Sequence, residues 1–237
     1  MERYNTNYQT GAGAQTAEFD EGLRAYMLKV YNYMASGVLL TGIVALLVGT
    51  SPLVYAIMGS GLRWIVALAP LAFVMVMSFG AHKMKSSTLQ MIFWAFAATM
   101  GLSMSSIFVV YDPMSIARTF FITAAAFGAL SLYGYSTKRD LGPIGTFLVM
   151  GLFGLILAMV VNMIWPVGDS FLLIINALGV LIFAGLTAYD TQRIKQSYYM
   201  MATGEAVAKG AIMGAVNLYL DFVNLFMFLL SFLGNRE

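Results

Sequence analysis

Asp221 stands in the segment N-L-Y-L-D-F-V-N-L-F, residues 217 to 226, a carboxylate surrounded by leucines, phenylalanines and a valine. Gly210, Gly214, Asn217, Asp221 and Asn224 follow one another at spacings of 4, 3, 4 and 3 residues, which holds them on one face of a helix. Asn217 and Asn224 lie one turn before and after the acid, able to hydrogen-bond it or to share a ligand with it. The other positions, including Leu218, Phe222, Leu225, Phe226 and Leu229, are apolar and suit lipid or neighbouring helices, so the polar stripe is expected to face the interior of a bundle. In a membrane helix an ionised Asp costs about 2.5 to 3.5 kcal/mol on insertion scales, and such residues usually mark ion or proton pathways. The plainer alternative is a protonated or hydrogen-bonded packing residue between helices.

A second acid, Asp190, ends a long apolar run in L-T-A-Y-D-T-Q-R-I-K, at the expected cytoplasmic end of a helix. On its own it reads as a solvated residue with Arg193 as an i,i+3 partner. Were Asp190 and Asp221 to meet, two ionised carboxylates about 4 Å apart would repel by about 4 kcal/mol at an effective dielectric of 20. Such a pair holds one shared proton near neutral pH and titrates as a unit. A divalent cation could take the proton's place. Calcium asks for about six to eight oxygens, so Asn217, Asn224, carbonyls and water would have to complete a shell begun by Asp190 and Asp221.

The surroundings of these acids follow from composition. The chain of 237 residues is 60% hydrophobic and 10% charged, with a mean hydropathy of +0.80; a soluble domain is about 25% charged. This is the composition of an integral membrane protein without room for a sizeable soluble domain. Cysteine is absent and His82 is the one histidine. Disulfides, thiol catalysis, Cys-ligated metals and multi-histidine metal sites are thereby excluded. No catalytic residue and no organic cofactor is expected. The basic residues sort by membrane side instead of forming one patch, so no nucleic-acid partner is expected either. Residues 1–30 are polar and mixed in charge, without the basic-then-apolar pattern of a signal peptide. They read as a flexible tail preceding a single transmembrane domain, residues 31–237.

Apolar stretches run from Tyr33 to Met58, Trp64 to Gly80, Leu89 to Tyr111, Ile116 to Tyr135, Ile144 to Trp165, Phe171 to Tyr189 and Ala211 to Leu233. Each approaches or exceeds the roughly 20 residues needed to cross about 30 Å of hydrocarbon. With the N-terminus inside, the inner segments hold Arg3, Arg24, Lys29, Lys83, Lys85, Lys138, Arg139, Arg193, Lys195 and Lys209, the outer ones only Arg63, Arg118 and Arg236. That alternation follows the positive-inside rule through every loop. It tests the seventh span least, since only Arg236 and Glu237 lie beyond it. The expected fold is an all-α integral membrane bundle of seven transmembrane helices with a cytoplasmic N-terminus.

L-T-A-Y-D-T-Q-R-I and N-L-Y-L-D-F-V-N-L-F resemble the two C-terminal signature segments of the Bax inhibitor family, also called the transmembrane Bax inhibitor motif family, and in particular its bacterial members. The resemblance extends over all seven spans in length and order. It implies a bundle whose last helix is central, and a pH-sensitive calcium leak in which an aspartate pair from the sixth and seventh helices senses pH and closes the pore toward the cytoplasm. On this chain that pair is Asp190 and Asp221, with protonation weakening the latch. Some members also carry an arginine at the cytoplasmic end of the second helix that latches onto the pair. Here the region reads S-F-G-A-H-K-M-K-S-S. His82, Lys83 and Lys85 are the candidates in its place, lysine supplying charge without a bidentate fork, and Arg193 is another.

Two further readings stay open. A membrane interaction protein could modulate a partner complex, such as a quality-control protease or stress and cell-death machinery. A proton-coupled small-molecule transporter would use a buried acid pair equally well. A retinal protein is disfavoured because all six lysines lie in loops or at span ends. Short loops and the motif variant favour a bacterial plasma membrane over an organelle.

Overall fold

The computed structural model describes the backbone of residues 6–235 and the side chains of residues 21–235. The helices are α1 (Thr6–Gly49), α2 (Leu53–Met58), α3 (Leu62–Gly80), α4 (Ser86–Met104), α5 (Ile107–Val110), α6 (Pro113–Ser136), α7 (Gly142–Ile164), α8 (Asp169–Tyr198) and α9 (Gly204–Leu233). Among the described residues seven stretches are long and apolar enough to cross a membrane: Glu21–Gly49, Leu62–Gly80, Ser86–Val110, Pro113–Ser136, Gly142–Ile164, Asp169–Tyr198 and Gly204–Leu233. The fold is an all-α, seven-span membrane bundle.

Local chemistry explains the ends. Ser51 and Pro52 separate α1 from the short α2, so the first span stops at Gly49 instead of continuing to Met58. Asp112 caps α6, accepting from the Ser115 backbone N–H at 2.9 Å, with Pro113 in the first turn where its missing N–H removes no helical bond. Thr203 caps α9 through the Ala206 N–H at 3.1 Å.

The domain boundary lies earlier than the composition of the N-terminal segment predicts. Leu23, Tyr26, Met27 and Val30 are buried in the main core, within the segment expected to be tail. They recur at three- and four-residue intervals and continue into Met34 and Val38, an amphipathic stripe that turns the polar residues between them outward. The part of the expected tail that falls on residues 1–5 lies outside the described residues.

In α9, 50% of the most apolar stretch is buried, against 11% in α3 and in α7, which puts α9 at the centre and those two at the periphery. It packs against α8, α1, α6 and α4, with α3 behind α4 and α7 behind α8. One end of the bundle gathers the α8 and α9 termini with the loops around residues 82–86 and 137–141. There Gln192 Nε2 donates to the Arg139 carbonyl at 2.8 Å while its Oε1 accepts from the Leu141 N–H at 2.9 Å. Lys195 Nζ reaches the Tyr135 carbonyl at 2.8 Å and lies over its ring. At the other end the Asn235 carbonyl accepts from the Asp112 N–H at 3.2 Å, and the Asn235 N–H donates to Ser115 Oγ at 3.0 Å. Chain direction therefore alternates through all seven spans.

A buried polar junction ties the centre together. Thr41 Oγ1 donates to the Ala97 carbonyl at 2.8 Å and lies 2.6 Å from Tyr219 Oη, joining α1, α4 and α9. Thr41→Val leaves the buried phenol without a partner and is expected to destabilise by about 1 to 3 kcal/mol, whereas Tyr219→Phe leaves Thr41 satisfied and is expected to cost about 1 kcal/mol. Thermal unfolding in detergent checks the order; Tyr219→Phe losing more than Thr41→Val would contradict it.

Candidate functional site

α8 and α9 run antiparallel as neighbours, and the contact between them places Asp190 and Asp221 beside each other, each carboxyl acting on the other. Asp190 is not at the end of its helix. α8 continues to Tyr198, eight residues or about 12 Å further at 1.5 Å per residue. That extension is apolar on too few positions to be read as a span. It is held by the buried Thr191, Gln192 and Ile194, and by the stem of Lys195 reaching toward Tyr135.

Asp221 is 4% exposed. Its Oδ2 is buried and accepts no hydrogen bond among the described residues; the polar group that acts on Asp221 is the carboxyl of Asp190. Two ionised carboxylates about 4 Å apart would repel by about 4 kcal/mol at an effective dielectric of 20. Arg193 acts electrostatically on Asp190 from one turn further along α8.

The polar stripe of α9 is placed differently from the inward face expected of it. Leu218, Tyr219, Phe222, Leu225 and Phe226 are the buried side, packed on other helices, while Asn217 and Asn224 are half-buried on the least covered side. Gly214 takes Ile194 of α8 against its backbone. The reason is the gap in the ring around α9: α3 packs on α4 and α7 on α8, without substantial contact between α3 and α7. The gap is a crevice of about 930 Å3. Tyr189, Asp190, Arg193, Asn217, Asp221 and Asn224 supply its polar lining, beside Leu71 of α3, residues 149–163 of α7 and Phe228 of α9. Asn224 does not reach the acid, because its Nδ2 donates to the Leu220 carbonyl of its own helix at 2.8 Å.

The basic loop after α3 does not reach the pair. Glu205, in the first turn of α9, accepts from the Ser86 N–H at 2.6 Å and from Ser86 Oγ at 2.9 Å, and Lys209 Nζ donates to the His82 carbonyl at 3.4 Å. This fastens the loop beside residues 205–209, which precede Asp221 by 12 to 16 residues, or about 18 to 24 Å of helix. His82, Lys83 and Lys85 are absent from the crevice lining; of the four basic candidates Arg193 alone lines it. Among the described residues no third His, Cys, Asp or Glu joins the two acids to form a metal cluster. A calcium ion at Asp190 and Asp221 would therefore depend on Asn217, carbonyls and water for most of its oxygens.

The structure adds residues that spacing along one helix could not reveal. Tyr31 Oη lies 2.8 Å from Ser131 Oγ, which lies 2.9 Å from Thr191 Oγ1. This chain links α1 and α6 to the residue following Asp190. Its members are separated by 100 and 60 positions, and each alone looks like an ordinary helical hydroxyl.

The chain matches the family model described as inhibitor of apoptosis-promoting Bax1 over residues 23–237. It is 43% identical over 220 residues to the inner membrane protein YbhL of Escherichia coli, covering 91% of this chain and 94% of that one. An uncharacterised protein of Rickettsia prowazekii is 47% identical over 220 residues, with 92% and 93% covered. An uncharacterised protein of Caulobacter vibrioides is 42% identical over 251 residues, and both chains are covered completely.

Proposed function

Since the chain belongs to the Bax inhibitor family of membrane proteins, we propose that it is a pH-sensitive calcium leak channel of the bacterial inner membrane, gated by protonation of Asp190 and Asp221. The observation that carries this reading is the juxtaposition of the two carboxyls at a crevice beside the central helix. With one proton between them, the pair is a charge-assisted hydrogen bond that ties α8 to α9. A second proton turns that bond into a neutral one of about half the strength, and α8 can then move relative to α9. Calcium is the permeant ion, drawn toward the negative pair and released because the site lacks the oxygens of a resident calcium shell. Arg193 at the crevice is the basic group that tempers the charge of Asp190.

Purified protein in liposomes loaded with a calcium indicator tests the proposal. The wild type is expected to show a leak that changes with pH, and Asp190→Ala and Asp221→Ala are each expected to abolish the change. A pH-dependent leak that persists in either variant would remove that residue from the gate. No leak in the wild type would overturn the channel reading in favour of a partner-binding or transport role.

A further inference from the structure

The crevice is larger and greasier than the passage of a hydrated metal ion requires. Its volume of about 930 Å3 lies near the top of the range of about 300 to 1,000 Å3 typical of small-molecule pockets, which are mostly apolar with a few convergent polar groups. Leucine, isoleucine, valine, methionine and phenylalanine form most of the wall. Several of them, including Ile156 at 47% and Met159 at 47%, are exposed to whatever fills the crevice or the bilayer beside it. At the acidic end, the buried Oδ2 of Asp221 accepts no hydrogen bond among the described residues. The basic residue of the lining, Arg193, acts on Asp190, and the charge acting on Asp221 is that of the other acid. A buried acid one of whose oxygens has no donor, at an apolar cleft between two peripheral helices, is complementary to a molecule that brings both a positive N–H group and an apolar body.

We propose that the crevice between α3, α7, α8 and α9 binds an amphipathic organic cation, a primary or secondary ammonium on an aromatic or alkyl body. The ammonium donates to Asp221, and the body lies along Leu152, Ile156, Met159 and Phe228. Asn217 offers its side-chain carbonyl to a second N–H. Such a ligand enters from the bilayer, between α3 and α7, without crossing the cytoplasmic end where Gln192 and Lys195 close the bundle. The site is independent of whether calcium passes, because it needs neither an ion gradient nor a change in the tie between α8 and α9.

Scintillation-proximity binding of tritiated phenethylammonium to the full-length protein in detergent, without calcium, tests this. Saturable binding displaced by unlabelled phenethylammonium is expected, and phenethyl alcohol, of the same shape but neutral, should compete at least about tenfold less well. Asp221→Asn is expected to weaken binding at least about tenfold. Ile156→Trp, which fills the apolar wall and leaves both acids in place, is expected to abolish it. Equal competition by the alcohol on the wild-type protein, binding unchanged in Asp221→Asn, or no saturable binding would overturn the proposal.

Discussion

Gly134→Ala is expected to be the most damaging single methyl group in the bundle. A Cβ at Gly134 of α6 would overlap the Ala188 carbonyl oxygen of α8 and stand 2.9 Å from both the carbonyl carbon and Cα of Ala188. Those are backbone atoms of a helix and cannot swing aside as a side-chain tip can. The neighbouring contacts are just as close: Ser131 of α6 bonds Thr191 of α8 across the same seam at 2.9 Å. Small residues at such crossings allow helix backbones to approach where no hydrophobic force drives them together. Separating α6 from α8 breaks that bond and displaces the segment that carries Asp190. The expected loss is about 3 kcal/mol or more, or on the order of 10 °C in apparent midpoint for a chain of this size. Gly128→Ala, six residues earlier on α6, meets nothing within 4 Å and is expected to be neutral or stabilising by up to about 1 kcal/mol. Fluorescence-detected size-exclusion after heating compares the two; equal midpoints would show that the seam is not a close backbone contact.

Glycines of both kinds look identical in the sequence, and this marks where sequence reading stops. The spans and their direction were legible because hydrocarbon imposes one length and one charge rule on every segment. The weakest of them, the seventh, is fixed in the structure by Asn235 meeting Asp112 and Ser115 at the end away from the basic loops. The stripe on α9 was legible from spacing, but not the side it faces, because that depends on which neighbours leave a gap. The start of the first span is less legible: Leu23, Tyr26, Met27 and Val30 carry helical periodicity, but the charges between them give the segment the composition of a polar tail. The loop lysines near His82 were plausible partners for the acids only until the length of α9 separated them from Asp221.

Asparagine and alanine at the acid pair are expected to part in opposite directions. In Asp221→Asn the side-chain amide donates to the ionised Asp190, and with the like charge of the second acid gone Asp190 keeps its charge to lower pH, so the tie outlasts the acidification that loosens the wild type. Calcium leak is therefore expected to stay at the low, closed level throughout the acidification that opens the wild type. In Asp221→Ala nothing remains to bond Asp190, α8 is untied, and leak is expected to be high and equally flat. The wild type is expected to move between these limits, rising on acidification as the charge-assisted bond becomes a neutral one of about half its strength. Residues that act as one unit give non-additive effects, so Asp190→Ala with Asp221→Ala is expected to leak no faster than either single change. The same liposome flux assay reads all four. Asparagine and alanine variants with the same leak would show that Asp221 acts through its charge alone and not through the tie it makes to Asp190, and a double variant leaking as the product of the two singles would show that the acids work apart.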